Sequence, residues 1–150
     1  GLSAQARRQA LAGSLLLSAD NGHAVHPNFP EKADPANRVY PNGGVVIKYS
    51  ANQKYTTTGL TAGLFQAICQ KAGVPVQVFA NRADEPGGST LGNLLGHQVS
   101  IPMVDIGMAQ LAMHSAVETA GSRDPEYMAR ACAAFFQAEF TQTADGVYQF

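Results

Sequence analysis

The stretch Gly43-Gly44-Val45-Val46-Ile47-Lys48-Tyr49, carried on through Thr58-Gly59-Leu60-Thr61-Ala62-Gly63-Leu64-Phe65-Gln66-Ala67-Ile68 to Val76-Gln77-Val78-Phe79, decides the fold. Val45 to Tyr49 is a short, mostly apolar and β-branched run bounded by glycines, the pattern of a buried strand. From Thr58 to Ala72 the pattern becomes helical: Leu60, Leu64, Ile68 and Ala72 recur every four residues as the expected inward face, and Gly73 and Pro75 stop the helix. Val76 to Phe79 is the next strand. Strand, helix and strand in succession predict an α/β layer fold.

The rest of the chain extends this alternation. A helix is expected over Ala4 to Leu11, ended by Gly13, and then a strand over Ser14 to Ser18. Asn21 to Asn42 carries Pro27, Pro30, Pro35 and Pro41 and is expected to be one long irregular loop. Loops of that length inside a compact domain are usually functional. Met103 to Ile106 is a further strand. Asp124-Pro125-Glu126 opens the last helix with Asp124 as N-cap, and Met128, Cys132 and Phe135 are expected to face inward as it runs to about Ala138. There is no repeat and no internal linker.

With 150 residues, the chain suits one domain with a real core. Hydrophobic residues at 45% and charged ones at 14% predict an ordered globular protein. A formal net charge of -1 without a basic run argues against nucleic acid or an anionic membrane as partner. The longest apolar stretch, around Leu15 to Leu17, is too short to span a bilayer. Arg7 and Arg8 are not followed by an apolar segment of signal-peptide length, so no secretion signal is expected. A start at Gly1 rather than Met is the start expected of a processed or excised piece. Cys69 and Cys132 lie among apolar residues, as small core residues of a reducing compartment do, and a cytoplasmic location is expected.

Three places collect unusual residues, each after an expected strand, where open α/β sheets bind ligands. The first is D-x-x-H-x-x-H, formed by Asp20, His23 and His26. Carboxylate and neutral imidazole together suit Zn, Mn or Co, but Asp20 as a loop cap beside hydrogen-bonded histidines satisfies the same pattern. The second is Met113-His114-Ser115, after Asp105-Ile106-Gly107. A nucleophilic triad of Ser115, His114 and Asp105 is disfavoured, because adjacent Ser and His diverge and no nucleophile elbow is present. The third is Gly87-Gly88-Ser89-Thr90-Leu91-Gly92, whose glycines let backbone N–H groups approach an anion or a carbonyl oxygen. No Gly-Lys-Ser/Thr follows, which argues against a phosphate loop, and a plain glycine-rich turn remains open.

Together these segments resemble the aspartyl aminopeptidase and vacuolar aminopeptidase I family of zinc metalloaminopeptidases. The resemblance rests on S-A-D-N-G-H-A-V-H-P-N-F-P-E-K at 18–32, G-G-V-V-I-K-Y-S-A-N-Q-K-Y at 43–55, G-G-S-T-L-G at 87–92, and V-D-I-G-M-A-Q-L-A-M-H-S with Glu118 at 104–118. It implies a three-layer α/β sandwich of the zinc-peptidase type, incomplete here, with the whole chain as the C-terminal portion of the catalytic domain. It assigns Asp20 to one of two zinc ions and His114 to the other, with His23 beside the metals. Lys48 and Tyr55 would face the substrate, the lysine suited to an acidic N-terminal side chain, although a solvated strand-end charge would also account for Lys48. Gly88, Ser89 and Thr90 would line the substrate pocket. Peptides are the implied substrate and a large homo-oligomer the implied assembly.

The departures weigh as much as the matches. The family's dinuclear centre also needs another histidine, a bridging aspartate and an adjacent Glu-Glu pair that includes the general base, all from upstream. This chain has only His23, His26, His97 and His114, no Glu-Glu, and an Asp84-Glu85 that lies in the lead-in to the Gly-Ser-Thr turn. Ala116 and Val117 also replace the bulkier or charged residues expected after His-Ser. A fragment inactive alone is therefore expected. Two other readings stay open: a non-catalytic α/β domain for assembly or peptide binding, and a mononuclear metal protein using Asp20, His23 and His114.

Overall fold

The computed structural model describes residues 1–149. Helix α1 (Ala4–Ala12) is capped by Ser3, whose hydroxyl accepts from Ala6 N–H at 3.2 Å. Strand β1 (Leu16–Ala19) follows and leads into a short strand β2 (Gly22–His23). The loop expected over 21–42 therefore contains β2 and a single 3-10 turn at Pro30–Lys32. Then come β3 (Val45–Tyr49), α2 (Gly59–Lys71) and β4 (Val76–Ala80), as the apolar runs predict. A short helix α3 (Leu91–Gly96) precedes β5 (Met103–Gly107), followed by β6 (Ala109–Leu111) and β7 (Thr119–Ala120). Helix α4 (Asp124–Gln137) and a hairpin of β8 (Thr141–Ala144) and β9 (Val147–Gln149) complete the chain.

The central sheet has the order β1-β5-β3-β4. Strands β1 and β5 are parallel, β3 and β4 are parallel, and β3 meets β5 antiparallel. The sheet is thus mixed, and its carboxyl ends point two ways. A second sheet, β2-β6-β7, is seeded where the chain leaves β1 and β5. Val45, Ile47, Val104 and Ile106 face Ala62, Phe65, Cys69 and Ala131 of α2 and α4 in one core. Val46 and Phe79 look the other way, into a second core with Ala24, Val39, Tyr55 and Ala109. Helix α3 packs on that second face, against β1 and β5. Helices, sheet, then α3 and its loops make three layers, as the resemblance implies.

Two helix expectations need correction. Leu60 is 40% exposed, and the buried face of α2 is Thr61, Ala62, Leu64, Phe65, Ile68 and Cys69. A step of four residues advances about 400° around a helix, so a strict four-residue series drifts by about 40° per step off a fixed face. Leu60 falls off the stripe, and Thr58 and Thr61 close the helix start with a reciprocal capping box instead. In α4, Met128, Cys132 and Phe135 are only half-buried, and the buried residues are Asp124 and Ala131. Arg123 occupies the N-cap position, while Asp124 turns its carboxylate to the lead-in of β3: Asn42 N–H donates to Oδ2 at 2.8 Å and Gly44 N–H to Oδ1 at 3.4 Å. That clasp holds a position only glycine fits, since Gly44 has φ +101° and an added Cβ would lie 2.1 Å from Pro75 O. Both cysteines are free thiols.

Candidate functional site

Register brings the site together on the face away from α2 and α4. Ser18 pairs with Asp105 across β1 and β5, and β3 and β5 are aligned so that Ile47 faces Ile106. Lys48, one residue on, therefore shares the Ser18–Asp105 row, since paired residues point to the same side of a sheet. Asp20 lies just beyond β1, with its backbone N–H bonded to Ile106 O at 2.9 Å.

Lys48 is not a solvated strand-end charge. Its side chain is 2% exposed and its Nζ lies 4.0 Å from Asp20 Oδ2, a carboxylate that is itself 58% exposed. Nζ donates a long 3.4 Å bond to Asn21 O and lies 5.1 Å from the centroid of the Tyr55 ring. Burial pushes the ammonium below the ordinary lysine value, while Asp20 and then Asp105 pull it back. Tyr55 is buried beside Phe79, and burial pushes its phenol up. Asp20, Lys48 and Tyr55 thus form one contiguous group, with the carboxylate at the surface and the cation beneath it.

Asp105, weighed from the sequence only as a disfavoured triad member, has a different role. It is fully buried. Thr56 N–H and Thr56 Oγ1 donate to its Oδ2 at 2.5 and 2.8 Å, and Thr90 Oγ1 donates to Oδ1 at 2.6 Å. Its own N–H donates to Thr57 Oγ1 at 2.9 Å. The available signal was an aspartate inside an apolar strand, which requires donors, and the run Thr56-Thr57-Thr58, which supplies them. These bonds leave Asp105 with no part in a triad with His114. Ser115 Oγ donates to Val117 O at 2.5 Å instead.

The Gly87–Thr90 turn reaches this face by folding back, not from a strand end. Its strand β4 runs against β1 and β5, so the strand-end argument fails for it in a mixed sheet. Gly88 and Ser89 are exposed, and Ser89 Oγ accepts from Asn93 Nδ2 at 2.8 Å. Thr90 is buried, with its hydroxyl committed to Asp105. Gly92 N–H donates to Ser18 Oγ at 3.0 Å, and an added Cβ there would lie 3.0 Å from Ser18 and Thr56 atoms. Lys54 Nζ reaches Gly87 O at 2.8 Å, and Lys32 with Glu85 and Arg82 with Asp84 brace the approach to the turn.

The histidines are dispersed. His23 is exposed in β2, opposite Gln110, and lines a cavity of about 290 Å³ with His26, Phe29, Lys32 and Arg82. His26 Nδ1 accepts from Asn28 N–H at 3.1 Å and its ring lies 5.2 Å from that of Phe29. His114 follows β6 in a left-handed conformation, φ +67°, with its N–H held by Glu118 Oε1 at 2.6 Å. Among the described residues no three His, Cys, Asp or Glu side chains gather to hold a metal. Asp20, His23 and His114 accordingly do not form one three-residue cluster among the described residues. The donor chemistry of Asp20 and His114 suits zinc, but two donors make a partial site. Among the described residues no helix is long and apolar enough to cross a membrane.

Comparison with known proteins identifies the family of the chain. Residues 2–136 match the family model of the aminopeptidase I zinc metalloproteases (M18). The probable M18 family aminopeptidase 2 of Mycobacterium leprae is 48% identical over 129 residues, 86% of this chain and 30% of that protein. Its counterpart in Streptomyces coelicolor is 43% identical over 137 residues, 91% of this chain and 32% of the relative. Among solved structures, the cryo-EM structure of the Ape4 and Nbr1 complex superposes with TM-score 0.88 at 39% identity, over 91% of this chain and 26% of the other. Yeast aminopeptidase 1 superposes with TM-score 0.77 at 30% identity, over 87% and 28%, and the S. cerevisiae mApe1 dodecamer gives the same values. This chain spans about a third of the length of the two curated relatives and about a quarter of the solved chains. It belongs to the M18 family of aminopeptidases.

Proposed function

We propose that this chain is the C-terminal part of an M18 catalytic domain and furnishes one half of a metal-dependent aminopeptidase site, releasing N-terminal residues from peptides once the other half is present. The observation that carries this reading is the Asp20–Lys48–Tyr55 group, an exposed carboxylate over a buried cation, within a chain that matches the family model from residue 2 to 136. Asp20 and His114 would each hold a zinc ion, with Mn or Co also suited to these donors. Ions held there would supply Lewis acidity towards a carbonyl oxygen and a water. His23 would lie beside them. Lys48 would receive an acidic N-terminal side chain, with Tyr55 walling the pocket and the exposed Gly88 and Ser89 offering backbone and hydroxyl donors. The general base would come from outside this chain. A cytoplasmic setting suits the two free thiols, and the dodecameric relative supports a homo-oligomer.

The purified 150-residue chain, given excess zinc or cobalt, is expected to release no N-terminal residues from peptides. With the base and the remaining ligands absent, both water activation and charge stabilisation are lost, each contributing orders of magnitude in rate. Robust release by the uncontaminated chain would overturn the half-site reading.

A further inference from the structure

Two segments that the proposed site uses arrive from different directions. Residues 54–58 come off the end of β3, and residues 87–92 fold back from β4. Neither is part of the sheet, yet both must keep a fixed place relative to β1, whose exit carries Asp20. Between them, inside β5 and next to Ser18 in register, stands Asp105.

We propose that Asp105 is a positioning residue that latches the Tyr55 segment and the Gly87–Gly92 turn to the sheet through its two carboxylate oxygens. The inference rests on the aminopeptidase reading only for what the two segments do, and not for the latch itself. The division of labour is explicit in the bonds. Oδ2 takes both donors of Thr56, Oδ1 takes the hydroxyl of Thr90, and the backbone N–H of Asp105 fixes Thr57. Tyr55, adjacent to Thr56, is the ring beside the Lys48 ammonium. Ser89 and Gly88, adjacent to Thr90, are the exposed part of the turn. A carboxylate suits the node because Thr56 N–H and the two threonine hydroxyls all donate to it, and its two oxygens serve both sides at once. An asparagine keeps one oxygen for the Thr56 donors but turns its NH2 to Thr90, whose hydroxyl must then accept, and every bond at the node loses its charge assistance. Ser18 Oγ on Gly92 N–H pins the far end of the same turn, so the row Ser18–Asp105 sets the position of the turn against β1. Lys54 on Gly87 O joins the two segments at their outer rim without touching the sheet.

Hydrogen exchange on the 150-residue chain, peptide by peptide, tests the latch and needs no activity. Asp105→Asn is expected to speed exchange in both 54–58 and 87–92 by at least about tenfold, while the core of α2 keeps its protection. In the same variant, the side-chain NMR signals of Tyr55 and Lys48 are expected to move, and that of Tyr127, on the opposite face, to stay. Thr90→Val is expected to loosen 87–92 alone, and Thr90→Ser, which keeps the hydroxyl, to restore it. These two variants carry the test if Asp105→Asn does not fold. An increase in exchange shared equally by every segment would show that Asp105 serves general stability, and unchanged exchange in 87–92 would show that Asp105 does not hold the turn. Either result overturns the proposal. Inactivity of an assembled enzyme with this latch intact would count against the aminopeptidase reading and leave the latch standing.

Discussion

Replacing Lys48 by Met asks whether the buried cation sets substrate choice. The suitable setting is an M18 relative whose matching segment is replaced by residues 2–136 of this chain, so that the missing ligands and base are supplied. Met keeps most of the side-chain volume, so the change removes charge and donors and little packing. The ammonium is a three-donor group, and the hydrogen bond it makes to Asn21 O is long, at 3.4 Å. Its nearest carboxylate oxygen is 4.0 Å away. That leaves capacity for an incoming carboxylate. At 4 Å and an effective dielectric of about 20, the attraction is about 4 kcal/mol before desolvation. After desolvation, a charge-assisted hydrogen bond retains about 1.5–3 kcal/mol, or about ten- to hundredfold in selectivity. The assay is kcat/KM on Asp or Glu substrates against Leu or Ala substrates. Lys48→Met should cut the first pair by that factor and leave the second nearly unchanged. Equal losses on both would show that Lys48 supports the site generally and does not read the substrate. The same variant carries a stability readout in the isolated chain. Burial lowers the folded-state value of Lys48 below its unfolded value, so the unfolded chain binds that proton more tightly. Stability should therefore rise as pH climbs through the window between the two values, up to that of an unfolded lysine. Urea midpoints at neutral and alkaline pH should show this rise in the parent chain and lose it in Lys48→Met.

Asp124→Ala should destabilise the chain by about 3 kcal/mol, because the N–H groups of Asn42 and Gly44 lose a buried charged acceptor. Calorimetry should then show Tm lower by about 6–12 °C, and a shift under 2 °C would show the clasp to be idle. Burial pushes the Cys69 thiol up to about 12, so at pH 8 it should resist a thiol-exchange reagent in the native chain and react only on unfolding. Fast native labelling at Cys69 would mean that the α2–α4 contact opens readily.

How far the fold could be read in advance followed from run length and packing. Val45-Val46-Ile47 and Met103-Val104 announce buried strands because both faces of the sheet are covered. Strands β2, β6 and β7 have two or three residues each, too few for alternation to register. They exist because β1 and β5 deliver Gly22 and Ala109 side by side. Asp20 and Lys48 were legible through the resemblance, but their mutual distance was not, since it depends on an antiparallel β3–β5 register separated by 58 residues of chain. Asp105 was visible as a residue and hidden as a node, because its partners Thr56 and Thr90 lie 49 and 15 positions away. His23 and His114 share a stretch of motif with their neighbours, yet the chain alone does not gather them.

The most direct test of the half-site is the chimeric relative carrying residues 2–136, compared with its Asp20→Ala and His114→Ala forms by zinc content and rate of N-terminal residue release. The account predicts that the unmutated chimera assembles and releases N-terminal residues in a zinc-dependent way. It also predicts that each substitution lowers bound zinc and cuts the rate by at least about a hundredfold. A chimera that keeps its zinc and its rate after both substitutions would contradict the assignment of Asp20 and His114, and with it the half-site.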